Sequence, residues 1–459
     1  MLSVAQAENI ILGLISPLKS AHDVEILNLL VAFDRILAEP VISNLDFPHW
    51  DNSAMDGYAV RYEDVQACAG DRPITLEIVE EIPAGYQPQC TIQPGQAARI
   101  LTGSVMPAGA DTIVIQEETR REGNQVVILS APKPQAFVRH RGEFYRAGDA
   151  LLPVGTRLKA PEIAVLAAAQ CAQVKVFRRP RVAILSTGSE LVDVNQPLQP
   201  GQIVDSNQYA LASLVTQSGA TPIQFGIVPD EPEALKRSMA EAIAAADIVL
   251  SSGGVSVGDY DYVEDILAEL GAKIHIRAVA VKPGKPLTVA TFGSNKTEGR
   301  GQETEGNAQP SALSTQHLVS IQNLKLKTQN SLLPSSPLPP PHSLYFGLPG
   351  NPVSALVTFW RFVQPAIRKL SGLPEPEWKP TFIHAKTRVE LRSDGKRESY
   401  LWGQLHLVNG QFEFDVAKGS HSSGNLINLA GTSGLAIVPS GQKSIAAGET
   451  VQVMAVGNG

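Results

Sequence analysis

The sequence predicts a multidomain α/β protein: a doubly wound α/β domain with a β-rich second domain, an N-terminal helical segment and a C-terminal β-rich domain. Three observations carry this expectation. The chain has 459 residues, whereas single hydrophobic cores stop growing near ~250–300 residues. From Arg181 onwards, short apolar runs alternate with helical patterns, the rhythm of a mostly parallel sheet covered on both faces. On either side of that region, β-branched runs are punctuated by glycine and proline without a helical period.

Taken in order, apolar residues spaced three and four apart (Ile11, Leu14, Ile15, then Ile26, Leu29, Leu30, Phe33) predict two helices between about Val4 and Leu37, broken near residues 17–23. From about Pro73 to Phe137, the runs ITLEIVEEI, TIVIQEE and QVVIL predict a small β-domain. Pro161 opens a helix, PEIAVLAAAQ, with proline in its first turn. Strands RVAIL, TPIQFGIV and DIVLS follow, then strands around residues 274–281, 287–292 and 344–346. Between them lie helical stretches at 209–218, PEALKRSMAEAIAAA and 262–270, and another helix follows Gly350. Residues 294–342 contain no Phe, Trp or Tyr and end in SLLPSSPLPPPH. Such a segment buries too little surface to offset its ordering entropy, and it reads as a disordered insertion. From about Thr381 to Val456 glycine turns separate short β runs, which predicts a small barrel or sandwich.

Composition narrows the function. Hydrophobic residues make up 43% and charged residues 18%, ordinary for a folded protein. A formal charge of -7 argues against nucleic-acid binding, which needs a basic face; an anionic small molecule can still meet a locally basic site. The three cysteines, Cys68, Cys90 and Cys171, form no CxxC pair, so neither a zinc ribbon nor a disulfide framework is expected. That usage fits a reducing cytoplasm. The N-terminus has no basic n-region or cleavage site and reads as an amphipathic helix rather than a signal peptide. No apolar stretch reaches the ~20 residues of a membrane span.

Several loops carry chemistry. SSGGVSVGDYD, residues 251–261, leaves a strand end and enters a helix. Its glycines and serines can direct N–H and hydroxyl groups at a phosphate, and Asp259 and Asp261 can hold a divalent cation or a ribose hydroxyl; the other reading is a tight turn with a capping Asp. ILSTGSEL brings Thr187, Gly188, Ser189 and Glu190 to the same sheet edge, where ligands of open α/β sheets bind. Asp205, Ser206 and Asn207 precede a helix, either as its N-cap or as ligand contacts; Asp230 stands at another strand end with the same two readings. KPGKPLT places Lys282 and Lys285 around a Pro-Gly turn, either to neutralise phosphate or an oxyanion or as solvated surface lysines, and GLPGNPVSA is a stiff turn into a helix. DNSAMDGYAV, residues 51–60, clusters polar groups beside Met55 and Tyr58, as a site or as an Asx-turn network. LTGSVMPAGADTIVIQEE adds Thr102, Gly103, Ser104, Asp111, Gln116 and Glu117.

Together, DNSAMDGYAV, LTGSVMPAGADTIV, STGSEL, SSGGVSVGDYDY, KPGKP and GLPGNPVSA, in that order, resemble the MoeA/gephyrin E-domain family, the molybdopterin molybdenumtransferases. The resemblance covers nearly the whole chain apart from the insertion. It implies four domains: residues 1–43 plus 142–177 as an elongated helical/linker domain, 44–141 as a β-rich domain, 178–374 as an α/β molybdopterin-binding domain with 294–342 inserted, and 375–459 as a C-terminal β-barrel. It also implies a homodimer with active sites in a cleft between subunits. The implied reaction consumes adenylylated molybdopterin and molybdate, releases AMP and yields molybdenum cofactor; the sulfur ligands belong to the substrate. Matching positions assign Asp56, Thr102, Glu190, Asp230 and Asp261 as catalytic residues. Ser252, Gly253, Gly254 and Ser256 would cradle the pterin phosphate, Lys282 and Lys285 meet anions such as molybdate, and Pro349 and Pro352 shape the cleft. Mg²⁺ is expected at Glu190 and Asp261. Molybdopterin adenylyltransferase and apo-molybdoenzymes are candidate partners.

Two departures from the family pattern stand out. Phe144 occupies a position after a Gly-Glu pair that is acidic in many members; Glu143 or Asp149 substitutes for it, or the position is dispensable. The insertion before Ser343 is expected to loop outward without blocking the cleft. The rival readings are a molybdopterin adenylyltransferase, which shares the SGG loop, and a non-catalytic cofactor carrier or scaffold.

Overall fold

The computed structural model describes residues 1–69, 71–253, 262–293, 342–419 and 421–457. They divide into two compact units, Leu18–Arg178 and Met1–Pro17 with Arg179–Gly459.

In the larger unit, alternating apolar side chains on the strands face opposite ways and need cover on both sides. A six-stranded sheet runs in the order Thr221–Val228, Arg181–Thr187, Ile248–Ser252, His342–Leu348, Pro286–Gly293, Ala272–Ala278. The first four are parallel, Pro286–Gly293 runs against them, and the edge strand Ala272–Ala278 runs against Pro286–Gly293, so one antiparallel strand interrupts the expected doubly wound sheet next to its edge. Val182 and Ile184 pack with helix Ser206–Gln217, with Val4–Gly13 and with the helical run beginning at Pro352. Ala183 and Leu185 pack on the other face with Pro232–Ala245 and Tyr262–Glu269. The strand order reverses beside Arg181–Thr187, which opens a crevice at the carboxyl ends.

The same unit carries a closed five-stranded barrel, Glu398–Val408, Gln411–Val416, Phe382–Thr387, Thr450–Ala455 and Gly434–Val438, the last pairing back onto the first. Ala385, Phe414, Ala436, Val451 and Val453 fill it. Val281–Lys282 joins the sheet region to the barrel by pairing in parallel with Glu398 and Ser399. A buried polar chain reinforces that joint. Arg361 donates to Glu8 at 2.6 Å and to the Tyr400 hydroxyl at 3.0 Å, and Tyr400 donates to Glu398 at 2.6 Å.

The smaller unit holds a six-stranded sheet in the order Thr112–Ile115, Gly57–Val60, Gln96–Ile100, Ile74–Ile82, Gln125–Ile128, Thr119–Glu122. It also holds a two-stranded pair of Val24–Asn28 with Gln173–Phe177, beside helix Ala160–Ala168. The second N-terminal helix expected before Leu37 is therefore a correction. That stretch is strand Val24–Asn28 followed by a single 3₁₀ turn, Leu29–Val31. Its apolar residues matched a helical period, but Ile26, Leu30, Val31 and Phe33 are exposed, so no apolar helical face is being buried. The backbone is instead satisfied by pairing with a segment about 150 residues away.

Of the expected insertion, residues 294–341 lie outside the described residues. Its flanks are paired neighbours, Gly293 opposite His342. They sit at the far end of their strands from Pro286 and Pro349, roughly 20 Å away at ~3.3 Å per residue.

Arg361→Met leaves the buried Glu8 carboxylate with only the more distant Lys379, 3.9 Å away, and should cost about 3 kcal/mol, read as an earlier unfolding transition of the larger unit in denaturant. Glu8→Leu combined with Arg361→Met should recover most of it. Replacing residues 294–341 with a short Gly/Ser turn should not destabilise the unit, because closing the shorter loop costs about 2 kcal/mol less entropy; a loss of stability would show that they pack.

Candidate functional site

Register builds the site at the sheet edge. Ser186 lies opposite Ser252, Ser252 opposite Leu348, and Thr187 opposite Val228. Four parallel strands therefore end at one level, and the loops that follow border one crevice. The crevice there has a volume of about 800 Å³ and is lined by Thr187, Gly188, Glu190, Asp205, Asn207, Asp230, Glu231, Ser252, Gly253, Pro349 and Pro352, among others. Its described lining carries the carboxylates of Glu190, Asp205, Asp230 and Glu231 and no Lys or Arg.

Each carboxylate has a local cause. Asp230 accepts from the Ser189 amide at 3.0 Å and its hydroxyl at 3.3 Å, tying two strand-end loops together. Helix Pro232–Ala245 has Glu231 at its N-cap without a side-chain bond, so Asp230 is not that helix's cap. Asp205 does cap helix Ser206–Gln217, accepting from the Gln208 amide at 3.1 Å. Asn207, in the first turn of that helix, donates to Ser252 Oγ at 3.0 Å and to the Gly350 carbonyl at 2.8 Å. Gly253 has φ +94°, and a Cβ there would lie 2.2 Å from the Thr187 carbonyl oxygen, so only glycine lets these two strand ends approach. Gly254, Ser256 and Asp261, named from the sequence, lie outside the described residues.

A second cavity, of about 510 Å³, adjoins the first at Pro286, which lines both. Lys282, Lys285, Arg392 and Arg397 line it, with no Asp or Glu among its described lining residues. Pairing of Val281–Lys282 with the barrel brings the KPGKP turn beside the Arg397 segment. Lys282 Nζ is 3.1 Å from Asp394, and the Arg397 guanidinium is 3.8 Å from the same carboxylate. The Lys396 amide, Lys282 and Arg397 hold the Asp394 carboxyl below its ordinary range. The sequence reading missed Arg392, Arg397, Trp402 and His421, which also line this cavity. The barrel region offered only the basic pair in GKRES as a signal.

Asp56 and Thr102 belong to the smaller unit and meet there. Gly57 pairs with Ile100, so the residue before one strand lies beside the loop leaving the other. Asp56 Oδ1 accepts from both the Thr102 hydroxyl and its amide at 2.7 Å. These bonds favour the ionised form and hold the Asp56 carboxyl below its usual value. The rest of DNSAMDGYAV is turn chemistry: Asp51 accepts from the Arg141 amide at 2.7 Å, and Ser53 bonds the Met55 backbone. Phe144 is exposed and packs its ring 5.8 Å from Phe47. Glu143 accepts from the His140 amide and Asp149 from the Arg146 amide, so both close local turns. Among the described residues no group of three or more His, Cys, Asp or Glu forms a metal cluster, and no helix is long and apolar enough to cross a membrane.

Residues 2–169 match the family described as "MoeA N-terminal region (domain I and II)", 183–369 the "Probable molybdopterin binding domain", and 384–456 the "MoeA C-terminal region (domain IV)". A molybdopterin molybdenumtransferase of Nostoc sp. is 58% identical over 99% of this chain and 94% of its own length. The chain belongs to the MoeA family of molybdopterin molybdenumtransferases. Its relative from Haemophilus influenzae, named likewise, is 33% identical over 99% of this chain and 98% of that one. The crystal structure of a molybdopterin biosynthesis MoeA protein from Pyrococcus horikoshii superposes with a TM-score of 0.75 at 25% identity, covering 99% of this chain and 100% of that chain. The MoeA fold is therefore this chain's fold, a multidomain α/β architecture with a barrel.

Thr102→Val removes one of the two donors to Asp56. The Asp56 carboxyl should then titrate at higher pH by NMR; an unchanged titration would show that the hydroxyl is not what holds it down. Gly253→Ala should lose ligand binding at the crevice and lower the melting temperature of the larger unit, because backbone rather than a movable side chain blocks the new Cβ.

Proposed function

We propose that this chain inserts molybdate-derived molybdenum into adenylylated molybdopterin, releasing AMP and giving molybdenum cofactor. Family membership makes it a transferase of molybdenum cofactor biosynthesis. The observation that carries the finer reading is the pair of adjoining cavities with opposite linings. One substrate is a phosphorylated pterin adenylate and the other a dianionic oxyanion, and they need different surroundings. The basic cavity suits molybdate, with Lys282, Lys285 and Arg397 as point charges and donors. The crevice at the strand ends suits the phosphates, with Ser252 and Gly253 on its floor.

Phosphates among four carboxylates would be repelled unless a cation intervened. The hard oxygen donors there fit Mg²⁺, which binds one or two carboxylates and takes its remaining ligands from phosphate and water. Glu190 would hold it, with Asp261 from outside the described residues. Bound there, the ion would neutralise phosphate charge. Two carboxylates are set by the chain's own groups: Ser189 holds Asp230 in place, and the Thr102 bonds keep Asp56 ionised as a fixed hydrogen-bond acceptor. Water adds across the phosphoanhydride bond, so AMP leaves and the pterin keeps its own phosphate. The two dithiolene sulfurs of the substrate bind molybdenum as their two protons leave with one molybdate oxygen as water. No protein thiolate is needed, and none of the three cysteines is among the described lining of either cavity.

The reading extends to a cytoplasmic homodimer of four-domain subunits, with molybdopterin adenylyltransferase supplying its substrate and apo-molybdoenzymes receiving its product. The adenylyltransferase and scaffold readings are not favoured, because relatives named for the transferase align over nearly the whole chain.

The deciding measurement is AMP release from adenylylated molybdopterin with Mg²⁺, with and without molybdate. Molybdate-dependent release, with cofactor that revives an apo-molybdoenzyme, is expected. Tight binding without cleavage would leave a carrier. Lys282→Ala and Lys285→Ala should raise the molybdate concentration for half-maximal rate, whereas Asp56→Ala should abolish turnover with little loss of melting temperature.

A further inference from the structure

The amide of Asn207 is an unusual investment for a helix. Asparagine is a weaker helix former than alanine, and here Asp205 already supplies the N-cap. The side chain is only 6% exposed, and its Oδ1 finds no partner among the described residues. A buried acceptor left in that state costs stability, so folding alone does not account for the residue. The other end of the amide is fully used. The Gly350 carbonyl can only accept, which fixes Nδ2 as the atom 2.8 Å from it, and the same nitrogen is 3.0 Å from Ser252 Oγ. Three strand-end loops are thereby joined through one side chain, mounted on a helix whose Leu211, Leu214 and Val215 are locked in the core.

The bond to Ser252 has a direction. Ser252 Oγ accepts from Asn207, so its own hydrogen must point away from Asn207. Ser252 lines the crevice, so a phosphate seated there would offer that hydrogen an acceptor. A hydroxyl already accepting a hydrogen bond is also the better donor, because each bond polarises the next.

We propose that Asn207 is a positioning residue of the reaction: by donating to Ser252 Oγ and to the Gly350 carbonyl, it fixes the flanking loops and turns the Ser252 hydroxyl into a preoriented donor for a substrate phosphate. This rests on the reading above that the crevice takes the phosphates. Asn207 acts through Ser252 and the loop backbone, so its contribution is specific to the phosphate rather than to the rest of the ligand.

The test compares AMP with adenosine, each titrated calorimetrically into the full chain with Mg²⁺, for wild type, Asn207→Ala, Ser252→Ala and the double variant. Wild type should bind AMP much more tightly than adenosine. Asn207→Ala should weaken AMP roughly tenfold, the scale of a hydrogen bond to a charged group, and leave adenosine unchanged. In the Ser252→Ala background it should have little further effect, since the two residues act as one unit. Equal weakening of both ligands, or additive effects in the double variant, would overturn the proposal while leaving the phosphate reading intact. A wild type that does not distinguish AMP from adenosine would instead overturn the phosphate reading itself, and this proposal with it. Should Asn207→Ala not fold, Asn207→Ser retains one donor and should give an intermediate, still phosphate-specific loss; a loss shared with adenosine would again count against it.

Discussion

The site depends on one close approach. At Gly253 the chain passes so near the Thr187 carbonyl that a Cβ would sit 2.2 Å from the oxygen. A side chain there would drive apart the two strand ends between which the winding changes direction. The helix after one strand covers one face of the sheet and the helix before and after the other covers the opposite face, so the strands' loops diverge and leave a crevice by topology alone. Glycine makes the crevice narrow at its floor. A Cβ on Gly350, in turn, would come within 3.6 Å of Gly253, so a third loop closes on the same point. Small residues set the spacing; Asn207 and Asp230 then hold it with directed bonds.

Charge is sorted across this small region at some cost. Among the described residues, four carboxylates line one cavity and four cations the next, with Pro286 shared. Like charges gathered in a concave site repel one another more than the same charges spread over a convex surface, because the low-dielectric walls focus their fields. Asp394 relieves part of this on the basic side, where Lys282 and Arg397 both lie within 4 Å of it. Asp205 is relieved by the Gln208 amide and Asp230 by Ser189. Glu190 is exposed and meets solvent. On the proposed reading, a cation bound on one side and an oxyanion on the other would remove the unfavourable remainder.

Much of this was legible because its causes are local. A glycine that must adopt positive φ, a proline at a helix start and a β-branched run beside a turn all announce themselves within a few residues, which is why STGSE, SSGG and GLPGNP could be placed at strand ends from sequence. The strand Val24–Asn28 was misread because its apolar spacing satisfies a helical period, while the partner that decides the matter, Gln173–Phe177, is remote in the chain. The same distance hid Arg392, Arg397, Trp402 and His421: nothing in the barrel sequence says that its rim will meet the KPGKP turn. Asn207 was visible only as one of two readings, since an amide before a helix caps it far more often than it bridges two other loops.

The joint between sheet and barrel shows why such remote pairings use polar groups. Arg361 comes from the helical run after the last central strand, Glu8 from the N-terminal helix and Tyr400 from a barrel strand. Burying this set contributes little net stability compared with apolar side chains of the same volume. A hydrogen bond, however, fixes direction as well as distance, and apolar contacts tolerate sliding. Tyr400 passes the constraint to Glu398, whose amide donates to the Ala280 carbonyl immediately before Val281 and Lys282. A slip of one residue at that pairing would turn Lys282 to the other face of its strand. The buried network therefore reaches the basic cavity, which Tyr400 itself lines, and it supports the register on which the position of Lys282 depends.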